Sequence, residues 1–219
     1  MPQEPASLSR HHIRQQQRAL RRSLSPAQQR HAAFALRDRL LAQPYLARPC
    51  RIALYLPFDG EPDTRPLIAA LWQRGHQVVL PVLHPFTRGQ LLFLRYTPET
   101  TMRRNAFGIS EPDLDATRVV PLTRLDLMLT PLVAFDAAGN RLGMGGGFYD
   151  RTLAQWRQRR QHGFGPYPIG IAHDCQRVAA LTAADWDVPL PEIVTPSAHY
   201  RWPQAGAPWQ AVHASPSPG

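Results

Sequence analysis

Lysine is missing altogether: the 25 Lys+Arg residues are all arginines, set against 16 acids for a net charge of +9 over 219 residues. Any phosphate this chain holds must therefore be held by a guanidinium or a backbone amide. Cysteine is scarce, with only Cys50 and Cys175 and no CxxC pair, so neither a disulfide scaffold nor a cysteine zinc site is expected. No apolar run approaches the roughly 18 residues that span a bilayer. No signal-like apolar segment stands near the start, and a protein of the reducing cytoplasm with no membrane contact is expected. Neither a repeat nor a second domain is evident.

The chain does have apolar residues enough for one sizeable core, at 43% of its length. A single domain is expected over residues 1–199. Residues 200–219 turn to Pro, Ser and Ala, close on Ala214-Ser-Pro-Ser-Pro-Gly219, and are expected to be a disordered tail. The arginine excess invites a nucleic-acid reading through the clusters Arg10, Arg14, Arg18, Arg21, Arg22 and Arg157, Arg159, Arg160. Against it, neither cluster is interleaved with aromatics for base stacking, and no zinc-finger or RRM signature is present. Nucleic acid is not expected as the main partner.

Periodicity predicts a helix from His11 to Arg22. A second helix opens on Ser25-Pro26 as N-cap and first residue, with Ala33, Leu36 and Leu40 on its buried face. Arg51–Leu56 reads as a strand, Thr64 to Arg74 as a helix stopped by Gly75, and Gln77–Pro81 as the next strand, together a βαβ unit. Further strands are expected at Leu91–Tyr96, Asp126–Phe135, Tyr167–Ala172 and Glu192–Thr195. The fold class is α/β, a three-layer α/β/α sandwich with a mostly parallel sheet.

One stretch carries most of the chemistry: Arg141-Leu-Gly-Met-Gly-Gly-Gly-Phe-Tyr-Asp-Arg151, with four glycines in the five positions 143–147. It follows an apolar strand and precedes a helical pattern, the arrangement in which bare amides cradle an anion. The spacing is neither a Walker P-loop nor a convincing dinucleotide GxGxxG, and a plain tight turn remains the alternative. Arg141 offers a fixed positive fork, Asp150 a hard oxygen ligand for Mg²⁺, and Phe148 and Tyr149 flat surfaces for a ring.

The motif RLGMGGGFYDR resembles the signature of the 5-formyltetrahydrofolate cyclo-ligase family, also called 5,10-methenyltetrahydrofolate synthetase. Gly60-Glu61-Pro62-Asp63-Thr64, Gly108-Ile-Ser-Glu-Pro112, Asp187-Val-Pro-Leu190 and the basic stretch before Leu24-Ser25-Pro26 agree in order, and the resemblance runs from about Arg10 to about Thr195. It implies a fold related to the NagB/RpiA/CoA-transferase group, and ATP-dependent closure of 5-formyltetrahydrofolate to 5,10-methenyltetrahydrofolate with ADP and phosphate released. In the mechanism it implies, the formyl oxygen attacks the γ-phosphate, N10 closes onto the formyl carbon and phosphate departs.

The resemblance also assigns residues. ATP would lie on Arg10, His11, His12, Ile13 and Arg14 together with Arg141, Leu142, Gly143, Met144, Gly145, Gly146, Gly147, Phe148 and Tyr149, with Arg141 also the catalytic group. Arg10 stands where the family has lysine. The folate would lie against Leu56, Glu61, Phe107 and residues Met144 to Phe148, with Glu61 accepting the paired N–H donors of the pterin edge. Mg²⁺ would sit on Asp150 and Asp187. Small molecules are the implied partners and a monomer the implied state.

Alternatives stay open residue by residue. Glu61 could be a surface acid capping the helix near Thr64, and Asp187 a turn cap. The i, i+4 series Arg10, Arg14, Arg18 could be a solvated helix face. Adjacent His11 and His12 point about 100° apart on a helix and offer no metal site. Met144 and Gly146 replace charged or tyrosine residues found in some relatives, which leaves the loop's phosphate contacts to amides and Arg141.

Overall fold

Serines start the first two helices. In the computed structural model, which describes residues 9–154 and 156–202, Ser9 caps α1 (Arg10–Arg22) by accepting from the His12 amide. Ser25 closes a reciprocal capping box with Gln28 at the start of α2 (Pro26–Leu41). In chain order there follow β1 (Arg51–Ala53), α3 (Arg65–Gln73), β2 (Gln77–Leu83), β3 (Leu91–Tyr96), β4 (Met102–Arg104) and β5 (Ser110–Pro112). Then come β6 (Leu127–Pro131), β7 (Ala134–Phe135), β8 (Arg141–Leu142), α4 (Phe148–Leu153), α5 (Trp156–Gln161), β9 (Tyr167–Ile171), β10 (Glu192–Val194) and β11 (His199–Arg201).

Seven strands form the main sheet in the order β11-β10-β9-β6-β1-β2-β3. The inner five, β10 to β2, run parallel, while β3 and β11 close the edges antiparallel. Parallel strands covered on both faces must be apolar throughout. Ile52, Val79, Leu127, Leu129, Ile169 and Ile193 are accordingly all buried. From β1 the chain crosses through α3 to β2 on one side, and from β6 it crosses through α4 and α5 to β9 on the other. Right-handed crossovers in opposite directions place those helices on opposite faces of the sheet. The strand order therefore switches between β1 and β6, and the crevice beyond their carboxyl ends is where such a sheet takes a ligand.

Two expectations change. The stretch read as one strand to Phe135 leaves the sheet after Pro131, because Val133 donates to Leu142 (2.7 Å) and β7 pairs with β8 in a separate hairpin. The glycine loop thus follows a hairpin strand, not the central strand itself. The domain boundary also moves: His199–Arg201 pairs with β10, and the Trp202 indole donates to the Ala137 carbonyl (2.8 Å), so the sheet runs past residue 199. The rest of the expected tail, 203–219, lies outside the described residues. The strand expected at Leu91–Tyr96, for which no direction was read, pairs antiparallel with β2, and the sheet is mostly parallel as expected. Among the described residues no helix is long and apolar enough to cross a membrane.

Gly170 in β9 shows how closely the sheet backs onto the crevice. A methyl group there would lie 2.8–2.9 Å from Ile193, Leu132 and Leu190. Gly170→Ala is expected to cost about 2 kcal/mol, roughly 6 °C in Tm, through overpacking. A calorimetric Tm equal to wild type would contradict that packing.

Candidate active site at the switch of the sheet

A cavity of about 360 Å³ opens at the switch point. Its first wall is the segment leaving β1. Phe58 to Glu61 forms a tight turn in which the Glu61 amide donates to the Phe58 carbonyl (3.0 Å) and the Phe58 amide donates to Glu61 Oε2 (3.1 Å). Glu61 is buried and faces the cavity. Burial pushes its carboxyl up to about 7, against the opposing pull of Arg21 and the Phe58 amide. Glu61 does not cap α3: the N-cap is Thr64, with no side-chain cap bond, and Asp63 before it accepts from the Arg65 amide (3.0 Å). Leu56 lines the same wall.

The second wall is largely apolar. It joins Leu80 and Pro81 of β2 to the hairpin tip between β4 and β5, where Phe107 stands 59% exposed over the opening. The Phe107 ring meets Phe148 edge to face, with centroids 6.4 Å apart. The tip is anchored from beneath by buried Glu111, which accepts from Asn105 (3.0 Å), Arg103 (3.0 Å) and the Leu83 amide (3.2 Å).

The third wall is the glycine loop. Gly145 adopts φ 105°, a conformation essentially reserved for glycine. The amides of Gly143 to Gly147 donate to no acceptor among the described residues, so a run of donors is left for an anion. Arg14 fixes the loop from one side, its Nε donating to the Gly143 carbonyl (2.8 Å). Arg151 fixes it from the other, donating to the carbonyls of Gly146 and Gly89.

Behind the loop lies a cluster of fixed charges. Arg141 is 3% exposed, lines the cavity, and donates to Asp150 Oδ1 (2.5 Å) and the Val188 carbonyl (3.2 Å). Burial pulls its guanidinium below the ordinary value, and Asp150 and Asp187 oppose that pull. Arg10 grips Asp187 with both guanidinium nitrogens, one at 2.8 Å, and also donates to the Thr182 carbonyl (3.0 Å). Burial would raise Asp187, but Arg10 and the Ala184 amide outweigh it and hold the carboxyl low.

The solvated-face alternative for α1 therefore fails. Arg10, Arg14 and Arg18 each reach across to another segment, Arg18 to Asp59 (2.7 Å). No residue from 10 to 14 lines the cavity itself; Arg14 meets the glycine loop and Arg10 meets Asp187. His11 and His12 are exposed and line no part of the cavity, while Ile13 is buried with Leu142 and Ala134 under the loop. Arg21, read in the sequence as one of a basic cluster, is instead fully buried and bonds to the Asp59 and Leu132 carbonyls. Its spacing with apolar Ile13 and with Gln17 was the signal that it faces inward.

The donor set for Mg²⁺ splits in two. Among the described residues no group of three or more His, Cys, Asp or Glu side chains could hold a metal. Both oxygens of Asp187 are taken by Arg10 and the Ala184 amide. Asp150 keeps Oδ2 without a described partner and lies in the cavity lining. A metal that arrives on phosphate fits Asp150; it fits Asp187 only if Arg10 lets go. The two aspartates are held here as partners of arginines, not as a pair facing one gap.

Such a sheet, with an apolar slot ending in a buried carboxylate beside a loop of unspent amides, defines an α/β enzyme of small molecules that sets an anion next to a flat substrate. The sequence pattern of the 5-formyltetrahydrofolate cyclo-ligase family matches residues 6–196. The chain belongs to this family. It is 50% identical over 185 residues to the 5-formyltetrahydrofolate cyclo-ligase of Escherichia coli K12, covering 84% of this chain and 99% of the relative. It is 48% identical over 185 residues to that of Haemophilus influenzae, covering 84% and 96%. In structure it matches a 5,10-methenyltetrahydrofolate synthetase of Aquifex aeolicus with a TM-score of 0.74 at 27% identity, covering 89% of this chain and 93% of the other.

Proposed function

We propose that the switch-point cavity closes 5-formyltetrahydrofolate to 5,10-methenyltetrahydrofolate, consuming ATP and releasing ADP and phosphate. The observation that carries this reading is the meeting, in one cavity, of Glu61 at the end of an apolar slot with Arg141 and the unspent amides of residues 143–147. Glu61, when ionised, accepts the adjacent N–H donors of the pterin's pyrimidine edge, and Leu56, Phe107 and Phe148 cover its faces. The amides, Arg141, Arg14 and Arg10 hold the phosphates.

A formyl oxygen is a poor leaving group until it is phosphorylated. It attacks the γ-phosphorus as ADP leaves, N10 then adds to the formyl carbon and loses its proton to solvent, and the C–O bond breaks to release phosphate. No side chain forms a covalent bond. The protein contributes alignment of the two reactants and fixed positive charge around the transferring group. Asp150, which lines the cavity, would hold an Mg²⁺ that arrives with ATP, and the metal would supply charge neutralisation there when bound. Asp187 acts by holding Arg10. A reducing cytoplasm suits the two cysteines, Cys50 and Cys175, which are both free thiols.

The test mixes purified protein with 5-formyltetrahydrofolate, Mg²⁺ and ATP and follows the methenyltetrahydrofolate absorbance band. A rise that needs ATP and drops at least tenfold in rate in Asp150→Ala is expected. A band that never appears while ATP still binds would overturn the reaction and leave only the nucleotide site.

A further inference from the structure

We infer that Arg21 is the positioning residue of the folate slot, fixing Glu61 and the three chain segments that meet around it. This rests on the reading that Glu61 receives the pterin edge. Arg21 has no exposed surface and lies on the inward face of α1. Its planar fork reaches in several directions at once. Nε donates to the Asp59 carbonyl (2.7 Å), Nη2 to Asp59 Oδ2 (2.9 Å) and, more weakly, to Met144 Sδ (3.7 Å), and Nη1 to the Leu132 carbonyl (3.4 Å). Nη1 also stands 3.9 Å from Glu61 Oε1. One side chain thus ties the turn after β1, the exit from β6 and the glycine loop, the three parts that Glu61, Leu132 and Met144 contribute to the cavity.

Charge gives Arg21 a second effect. Asp59 receives three guanidiniums, from Arg18, Arg21 and Arg22, so positive charge is in excess behind this wall. Arg18 and Arg22 are 35% and 52% exposed and are screened by water, whereas Arg21 is not. Glu61 Oε2 is held by the Phe58 amide, and Oε1 is left to face Arg21 and the cavity. The groups around this carboxyl come from every neighbouring element. Tyr55 follows β1, Tyr149 comes from α4, Asp59 from the same turn, and His173 reaches the adjacent Gly60 carbonyl (3.2 Å). Both tyrosines are pushed well above their ordinary value, chiefly by burial, and stay neutral. His173 is pushed down to about 4, chiefly by burial, and is neutral at working pH. Arg21 is therefore the cation that favours the ionised Glu61, and Asp59 the anion that opposes it.

The experiment measures the equilibrium affinity of the full chain for 5-formyltetrahydrofolate from pH 6 to 8.5. In the wild type, affinity falls on the acid side as Glu61 takes a proton near pH 7. Arg21→Met is expected to move that midpoint up by about one pH unit, a roughly fivefold weaker affinity at pH 7, and Arg21→Lys to hold it within about 0.5 unit. Asp59→Asn is expected to move it the other way, to lower pH, and serves if Arg21→Met does not fold. An affinity in Arg21→Met that is weaker by the same factor at every pH, or an unmoved midpoint in Asp59→Asn, would overturn the inference. Glu61→Gln separates the two levels. Loss of the acid limb with weak binding at all pH supports the pterin reading, whereas wild-type affinity with the limb intact would overturn that reading and this inference with it.

Discussion

Glu61→Gln is expected to raise the KM for 5-formyltetrahydrofolate about a hundredfold while leaving the KM for ATP within about twofold. Hydrogen bonds to an ionised group are worth about 1.5–3 kcal/mol, and the amide both loses the charge and turns one acceptor into a donor facing another donor. A loss near 2.8 kcal/mol corresponds to two decades of affinity. The amide oxygen of the variant can still accept from the Phe58 amide, so the turn after β1 is kept. Because burial raises the Glu61 carboxyl to about 7, the native state binds its proton more tightly than the unfolded chain does. Ionising it therefore costs stability as pH rises from about 4.3, the ordinary glutamate value, to 7. The amide has no such cost, so the variant's Tm at pH 8 should equal or exceed that of the wild type. A folate KM that stays put while the ATP KM rises would place Glu61 on the nucleotide instead.

Arg141→Met is expected to lower kcat by about 10³–10⁵, the range attributed to an arginine that neutralises a transferring phosphoryl group. It should also destabilise the protein, because it strands Asp150 without its ion-pair partner. Breaking a buried pair costs about 3–5 kcal/mol, and the lower figure applies here because Asp150 keeps 17% of its side-chain surface. The double variant Arg141→Met, Asp150→Asn removes the stranded charge. It should recover most of the stability, and a Tm as low as that of Arg141→Met alone would show that the cost lies elsewhere than in the stranded charge.

Much of this site is written in short-range signals. Ser25-Pro26 and Gly75 mark helix ends because caps and stops are local chemistry. The glycines of 143–147 announce a bare loop because side chains are physically missing there. Leu91–Tyr96 is legible as a strand from its composition, but its antiparallel pairing with β2 is not, since direction depends on the hairpin at Gly89 and on which edge is free. The exit of the chain from the sheet at Pro131 escaped for a similar reason. Leu132 to Phe135 is as apolar as the strand before it, and only the partner Arg141–Leu142 decides that it forms a hairpin. Arg10 and Asp187 are 177 positions apart in sequence. Each carries a clear charge, yet their mutual engagement is visible only in three dimensions. Arg21 was hidden by its type: arginine is an exposed residue in most places, and burial followed here from its helical phase with Ile13 and Gln17, not from its chemistry.

The measurement that bears most directly on the phosphate loop and the folate slot acting as one site is the fate of the formyl oxygen. 5-Formyltetrahydrofolate carrying ¹⁸O in the formyl group is turned over with unlabelled ATP, and the released phosphate is analysed by mass. One ¹⁸O per phosphate is expected, because the formyl oxygen bonds to the γ-phosphorus before the C–O bond breaks. Unlabelled phosphate, with ¹⁸O lost to water, would mean that ATP hydrolysis and ring closure are separate events, and would contradict the shared site.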